Sequence, residues 1–343
     1  MTMRPSSAGF LLAASFASLL LTTCLNPAWG QTNPGVTYEG GDGPGRGLHV
    51  VFVTGDEEYR SEEGMPMLAK ILAVRHGFKT TVLFAIDPET GEIDPETVTN
   101  IPGLRLLQEA DLMVMFIRWR ELPDEQMQHI IEFTNSGKPI IGLRTATHPF
   151  AYKTNKESPY AEWHWSSSDP AGGYGGHVFG ETWAYHHGEH GEESTRGLVN
   201  GLLADRAILN GVSDIWGPTD VYGIRSLPDN SEVLVYGQVL RGMYADAPPN
   251  YEKSIMPIAW TRTHTGESDR TSRIFLTTMG ASVDLVSEDL RRLLVNAVYW
   301  GLEMEDEIPE RADVGYVGAY DPTNFGFGEH RRGIWPGDLA LDR

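Results

Sequence analysis

The sequence predicts an α/β chain built on a doubly wound, mostly parallel sheet, with a long irregular insertion and a C-terminal tail. Three observations carry this. The run 48–53 (LHVVFV) is continuously apolar, as expected of a strand covered on both faces. Further strand-like runs follow at 80–84, 112–117 and 139–143, with helical or turn-rich stretches between them. Strands alternating with helices imply right-handed crossovers and a parallel sheet.

The elements follow in order. Residues 1–30 read as a secretory signal peptide: Arg4 supplies a basic start, 9–21 an apolar stretch, and Ala28-Trp29-Gly30 small residues for cleavage after Gly30. The expected location is therefore periplasmic or secreted, with no membrane contact once the leader is removed. Cys24 is the only cysteine, so the mature chain would contain no disulfide and no thiol nucleophile. Residues 31–47 are Gly-rich and polar and read as a flexible lead-in. The main domain spans 48–303. Within it, 64–76 reads as a helix, with Pro66 in its first turn, Leu68, Ile71 and Leu72 at helical spacing and Gly77 as its stop. Residues 87–100 are a loop and 104–109 a short helix. Pro123, Asp124 and Glu125 open the next helix, and Met127, Ile130 and Ile131 form its buried stripe. Residues 151–195 show no period but are rich in His, Trp and Tyr, which argues against disorder. Strands return at 233–239, 255–260 and 273–278. Ser287 caps a final helix over 287–302. Residues 304–343 form an irregular tail.

Composition narrows the partners. Of 343 residues, 47 are Asp or Glu and 27 are Lys or Arg, for a net charge of -20. That acidity opposes nucleic-acid binding through phosphate neutralisation and opposes a polybasic membrane contact. A small-molecule ligand remains.

In an open α/β sheet, ligands bind beyond the carboxyl ends of the strands. Three such ends carry polar groups: Asp56 and Glu57 after the first strand, Arg118 and Trp119 after the third, and Arg144 and His148 after the fourth. Arg118 and Arg144 could equally pair with Asp56 or Glu57 as structural ion pairs. A second feature is the stretch 177–190 (HVFGETWAYHHGEH), where His177, His186 and His190 are candidate ligands for a divalent metal such as zinc. Gly188 opposes a helix there, and the alternative is a histidine- and aromatic-lined surface without metal. Trp183 and Tyr185 suit stacking against a sugar ring. Asp220 and Tyr222 bring an acid and a phenol to the same rim, or form a plain turn.

These parts, in this order, resemble the ThuA-like (trehalose-utilisation) family over residues 48–302. The matching features are Thr54-Gly55, Gly142-Leu143-Arg144-Thr145-Ala146, the His-rich segment, Asp220 with Tyr222, Pro257 with Ala259-Trp260, Arg273-Ile274-Phe275 and the helix end Asn296-Ala297-Val298-Tyr299-Trp300. The resemblance implies a flavodoxin-like sheet of the class I glutamine amidotransferase type. Those enzymes carry a cysteine nucleophile in the elbow where this chain has Arg144. An arginine cannot serve as an acyl nucleophile, which excludes that chemistry. The family implies a sugar or oxidised sugar derivative as ligand. In that setting His148, with a pKa near neutrality, is the expected proton-transfer group. Arg144 and Arg118 would stabilise negative charge, and Asp56 or Glu57 would hold the histidine or a substrate hydroxyl. The alternatives are a non-catalytic carbohydrate-binding module and a metal-dependent hydrolase using the histidine cluster.

Overall fold

The computed structural model describes residues 1–2 and 35–341. Residues 33–343 form one compact unit, distinct from residues 1–32. The expected leader and its cleavage position lie outside the described residues, apart from Met1 and Thr2. In chain order the elements are β1 (Gly35–Tyr38), β2 (His49–Gly55), α1 (Ser61–His76), β3 (Lys79–Leu83), β4 (Leu112–Ile117), α2 (Asp124–Thr134), β5 (Ile140–Leu143), β6 (His186–His187), β7 (Ser194–Val199), β8 (Ile215–Gly217), β9 (Val221–Tyr222), β10 (Glu232–Leu240), β11 (Met256–Thr265), β12 (Thr271–Thr277) and α3 (Glu288–Gly301).

Ten strands form one sheet in the order β1-β3-β2-β4-β5-β12-β11-β10-β7-β8, and β6 pairs with β9 separately. The stretch β3-β2-β4-β5-β12 is parallel throughout. Counted along the chain, its strands lie second, first, third, fourth, fifth, which is the flavodoxin-like order. The order reverses between β2 and β4, and the crevice at that switch point is where this fold binds ligands. The flanking strands pair antiparallel: β1 on one side, and β11, β10, β7 and β8 on the other.

The apolar runs are explained by burial on both faces. On β2, Val50 and Phe52 pack with Leu68 and Leu72 of α1 and Leu290 and Leu294 of α3. Val51 and Val53 face the other way, against Met127 and Ile130 of α2 and Tyr174 and Phe179 of the insertion. Each such side chain contributes roughly 1.5–3 kcal/mol on burial, so a charge anywhere on β2 would be costly. No described helix is long and apolar enough to cross a membrane.

Three expectations change. The lead-in is not flexible after Gly35: β1 pairs with β3, Val36 and Tyr38 are buried, and the Tyr38 hydroxyl donates to Leu339 O at 2.8 Å. Helix α1 begins at Ser61, so Pro66 lies inside it rather than in its first turn. Strands β7 and β8, absent from the sequence reading, extend the antiparallel flank.

Candidate functional site

The loop after β2 is built by its own polar groups. Asp56 Oδ1 accepts the backbone N–H groups of Glu58 and Tyr59, at 2.8 and 2.5 Å, and Oδ2 accepts the Thr145 hydroxyl at 2.5 Å. The Ser61 hydroxyl accepts the N–H groups of Gly55 and Asp56. Asp56 is thus a loop former and makes no contact with His148, one of the two partners expected for it. Glu57 is spent on Arg120 at 2.7 Å and Arg118 at 3.1 Å, and burial pushes its carboxyl up to about 7. It too makes no contact with His148. The structural ion pair is the reading that holds for Arg118 and Glu57.

The three rim loops share a backbone feature. Arg60, Trp119 and Arg144 have φ of 59°, 49° and 43°, a region that non-glycine residues rarely occupy. Such strain collects at functional sites, where the surroundings must hold it in place.

Arg144 follows β5 in a sharp elbow and is fully buried. Its Nη1 donates to Asp220 O at 2.9 Å, to the Thr219 hydroxyl at 3.1 Å and to Thr278 O at 3.2 Å. The guanidinium lies 3.7 Å from the Tyr59 ring centre and 5.2 Å from that of Tyr222. Asp220 and Asp284 are its charge partners. With no exposed surface, Arg144 cannot meet a substrate charge. It fixes the segment that carries Asp220.

His148 lies in an aromatic cage of Trp119, Trp183 and Tyr222, with ring centres 5.8, 6.0 and 5.4 Å away. Its Nδ1 is 2.9 Å from the Thr147 hydroxyl. Burial, with help from the Arg118 charge, holds the imidazole well below its usual range. His148 is therefore a neutral group at pH 7, not one poised near neutrality.

The pairing of β6 with β9 brings His186 opposite Tyr222 and next to Asp220. His186 Nδ1 donates to Asp220 Oδ2 at 2.5 Å, and His190 Nδ1 donates to Asp220 Oδ1 at 2.9 Å. The rings of the two histidines are 4.8 Å apart. Glu58 closes the cluster, with Oε1 3.3 Å from His190 Nε2. Hydrogen bonds from His186 and then His190 hold the Asp220 carboxyl well below the carboxylate range despite burial, and the bond to Asp220 raises the His190 imidazole. One ligand atom from each of His186, His190 and Asp220 lies within 4.8 Å of the others. Two histidines and a carboxylate match the three protein ligands of a catalytic zinc site. An ion there would replace the two Nδ1 protons. Glu58 would then orient His190 through Nε2–H, as second carboxylates commonly do.

Not every expected residue joins. His177 lies elsewhere, with its ring 4.9 Å from that of His264 and 5.5 Å from that of Trp163. The turn Gly175–Phe179 aims it toward β11, and Asp220 takes the place it was expected to fill. Tyr185 is 45% exposed and packs on His187 rather than in the cage. Trp119, Trp183 and Tyr222 are at the site. Glu58 and Phe325, whose ring is 5.1 Å from that of His190, were missed. Glu58 sits in a run of three acids with nothing to single it out, and Phe325 belongs to the distant tail.

No family model matches the sequence, and no curated protein matches it. Among solved structures, the chain is similar to a putative ThuA-like protein from Bacteroides uniformis (12% identity, 77% of this chain and 94% of that chain, TM-score 0.44). It is also similar to one from Parabacteroides merdae (15%, 74% and 90%, TM-score 0.46). A third is the glutaminase domain of Trypanosoma brucei CTPS (9%, 78% and 98%, TM-score 0.34). Two of these neighbours carry the ThuA-like description. At such values the likeness says nothing about activity, and the fold rests on the strand order itself.

Proposed function

We propose that the chain is a secreted, divalent-metal-dependent hydrolase acting on a small neutral carbohydrate. The observation that carries this is the convergence of His186, His190 and Asp220 beside the aromatic cage. Arg118, Arg120 and Arg144 each already face a carboxylate, which favours a neutral polyol over an anionic ligand. Trp119 and Trp183, both only half-buried, offer apolar faces suited to a sugar ring.

When bound, a zinc or similar ion lowers the pKa of a coordinated water toward neutrality. The chain's own residues do the rest. Asp220 stays ionised and holds both histidines in register. Glu58, with its carboxyl raised by burial, takes the His190 Nε2 proton as a hydrogen bond and keeps the ring from turning. His148 is one ring away from His186 across Trp183 or Tyr222. Kept neutral, its imidazole can hydrogen-bond a substrate hydroxyl and so orient it.

The test is an assay of the purified chain against trehalose, other disaccharides and their oxidised derivatives. Turnover abolished by a chelator, restored by zinc and lost in His148→Ala is the expected result. Saturable sugar binding without turnover in the zinc-loaded chain would instead identify a carbohydrate-binding module.

A further inference from the structure

Of the three candidate ligands, His190 has the least support from regular structure. His186 lies on β6 and Asp220 directly before β9, so the pairing of those strands fixes both. His190 instead sits on an exposed turn over residues 189–192, next to Gly188 and Gly191, whose φ values are 125° and 78°. Its side chain is 38% exposed. A side chain on such a turn moves freely unless something packs on it. An ion at Nδ1 would replace the hydrogen bond to Asp220 that orients the ring in the metal-free chain. Glu58 Oε1, 3.3 Å from Nε2, is a longer and looser hold.

What packs on the ring comes from the C-terminal tail. Phe325 is half-buried against the core, its ring 5.1 Å from the His190 ring at a tilt of 57°. The tail is pinned on both sides of it. The Thr323 N–H and hydroxyl each donate to a Glu63 carboxylate oxygen at 2.7 Å, and Gly326 N–H donates to Glu58 O at 2.9 Å. The contact continues inward. Phe325 lies 5.8 Å from the Tyr59 ring, and the Arg144 guanidinium lies 3.7 Å from the centre of that same ring. Arg144 in turn donates to Asp220 O. One stack of Phe325, Tyr59 and Arg144 therefore backs His190 directly and Asp220 through its carbonyl.

We propose that Phe325 is a positioning residue of the metal site, holding the His190 imidazole in the orientation that presents Nδ1 to the ion. This rests on the metal reading above. Phe327, two residues on, is exposed and lies over Arg118 rather than over a histidine.

The test is a competitive chelator titration of zinc into the full chain and its variants. Phe325→Ala and Phe325→Leu, which lack a flat ring, should each weaken zinc by about tenfold. Phe325→Tyr keeps the ring and should stay within about twofold of wild type, as should Phe327→Ala, which trims the same tail segment away from the histidines. Zinc affinity within about twofold of wild type in both the Ala and Leu variants of Phe325 would overturn the positioning role and leave the metal site standing. Equal weakening by Phe327→Ala would also overturn it, since any change in the tail would then act alike. A wild type that holds no zinc would overturn the metal reading and the positioning role with it.

Discussion

Two histidine pairs in this protein have nearly the same ring separation, 4.8 Å for His186 and His190 and 4.9 Å for His177 and His264. Their surroundings differ. Asp220 accepts a hydrogen bond from both members of the first pair, and Glu58 faces one of them from the other side. In the second pair His177 packs against Trp163, and burial, with the Arg262 charge, lowers both members. The first environment concentrates negative charge on imidazoles, as a cation requires. The second repels a cation. Histidine proximity therefore does not make a metal site here; a carboxylate delivered from another segment does.

The largest effect is expected at Asp220, which only the first pair has. Asp220→Asn keeps the shape and removes the charge, and zinc affinity is expected to fall by roughly 100-fold or more in a competitive chelator titration. An unchanged affinity would mean that the two pairs do not differ in the way described. Glu58→Gln probes the outer carboxylate and should weaken zinc by about tenfold.

A pH titration of the metal-free chain, followed through the imidazole signals, sharpens the contrast further. His190 is raised above its ordinary value of 6.5 by its Asp220 hydrogen bond. Its contribution to stability is present below that value and lost as pH rises through the folded pKa. His264 is lowered by burial to about 4. It binds fewer protons folded than unfolded, so stability falls as pH drops from about 6.5 toward 4. At pH 5.5 the His264 ring should be neutral while the His190 ring is protonated, and equal protonation of the two would contradict the account. The smallest effect is expected at His177→Ala, with zinc affinity within about twofold of wild type.

The parallel strands were legible because burial on both faces leaves continuous apolar runs such as 48–53 and 112–117. Strand β1 was not, because four residues among glycines give too short a pattern, and its partner β3 lies 41 or more residues away. The site divides in the same manner. His148 and the rim arginines could be named because they follow recognisable strand ends. Their roles could not, since a pKa or an ion pair depends on burial and on partners from other segments. Arg144 looked like a charge stabiliser and is a buried support for Asp220. His177 was grouped with His186 and His190 by closeness in sequence, whereas Asp220 reaches them only through the β6–β9 pairing. Nothing local in the tail distinguishes Phe325 or Phe327 from other aromatics.

The most direct measurement is the zinc stoichiometry of the purified chain after dialysis against a weak chelator, with the His186→Ala/His190→Ala variant alongside. About one tightly held ion is expected in the wild type and none in the variant. A wild type that holds no zinc, or a variant that holds as much as wild type, would contradict the metal site.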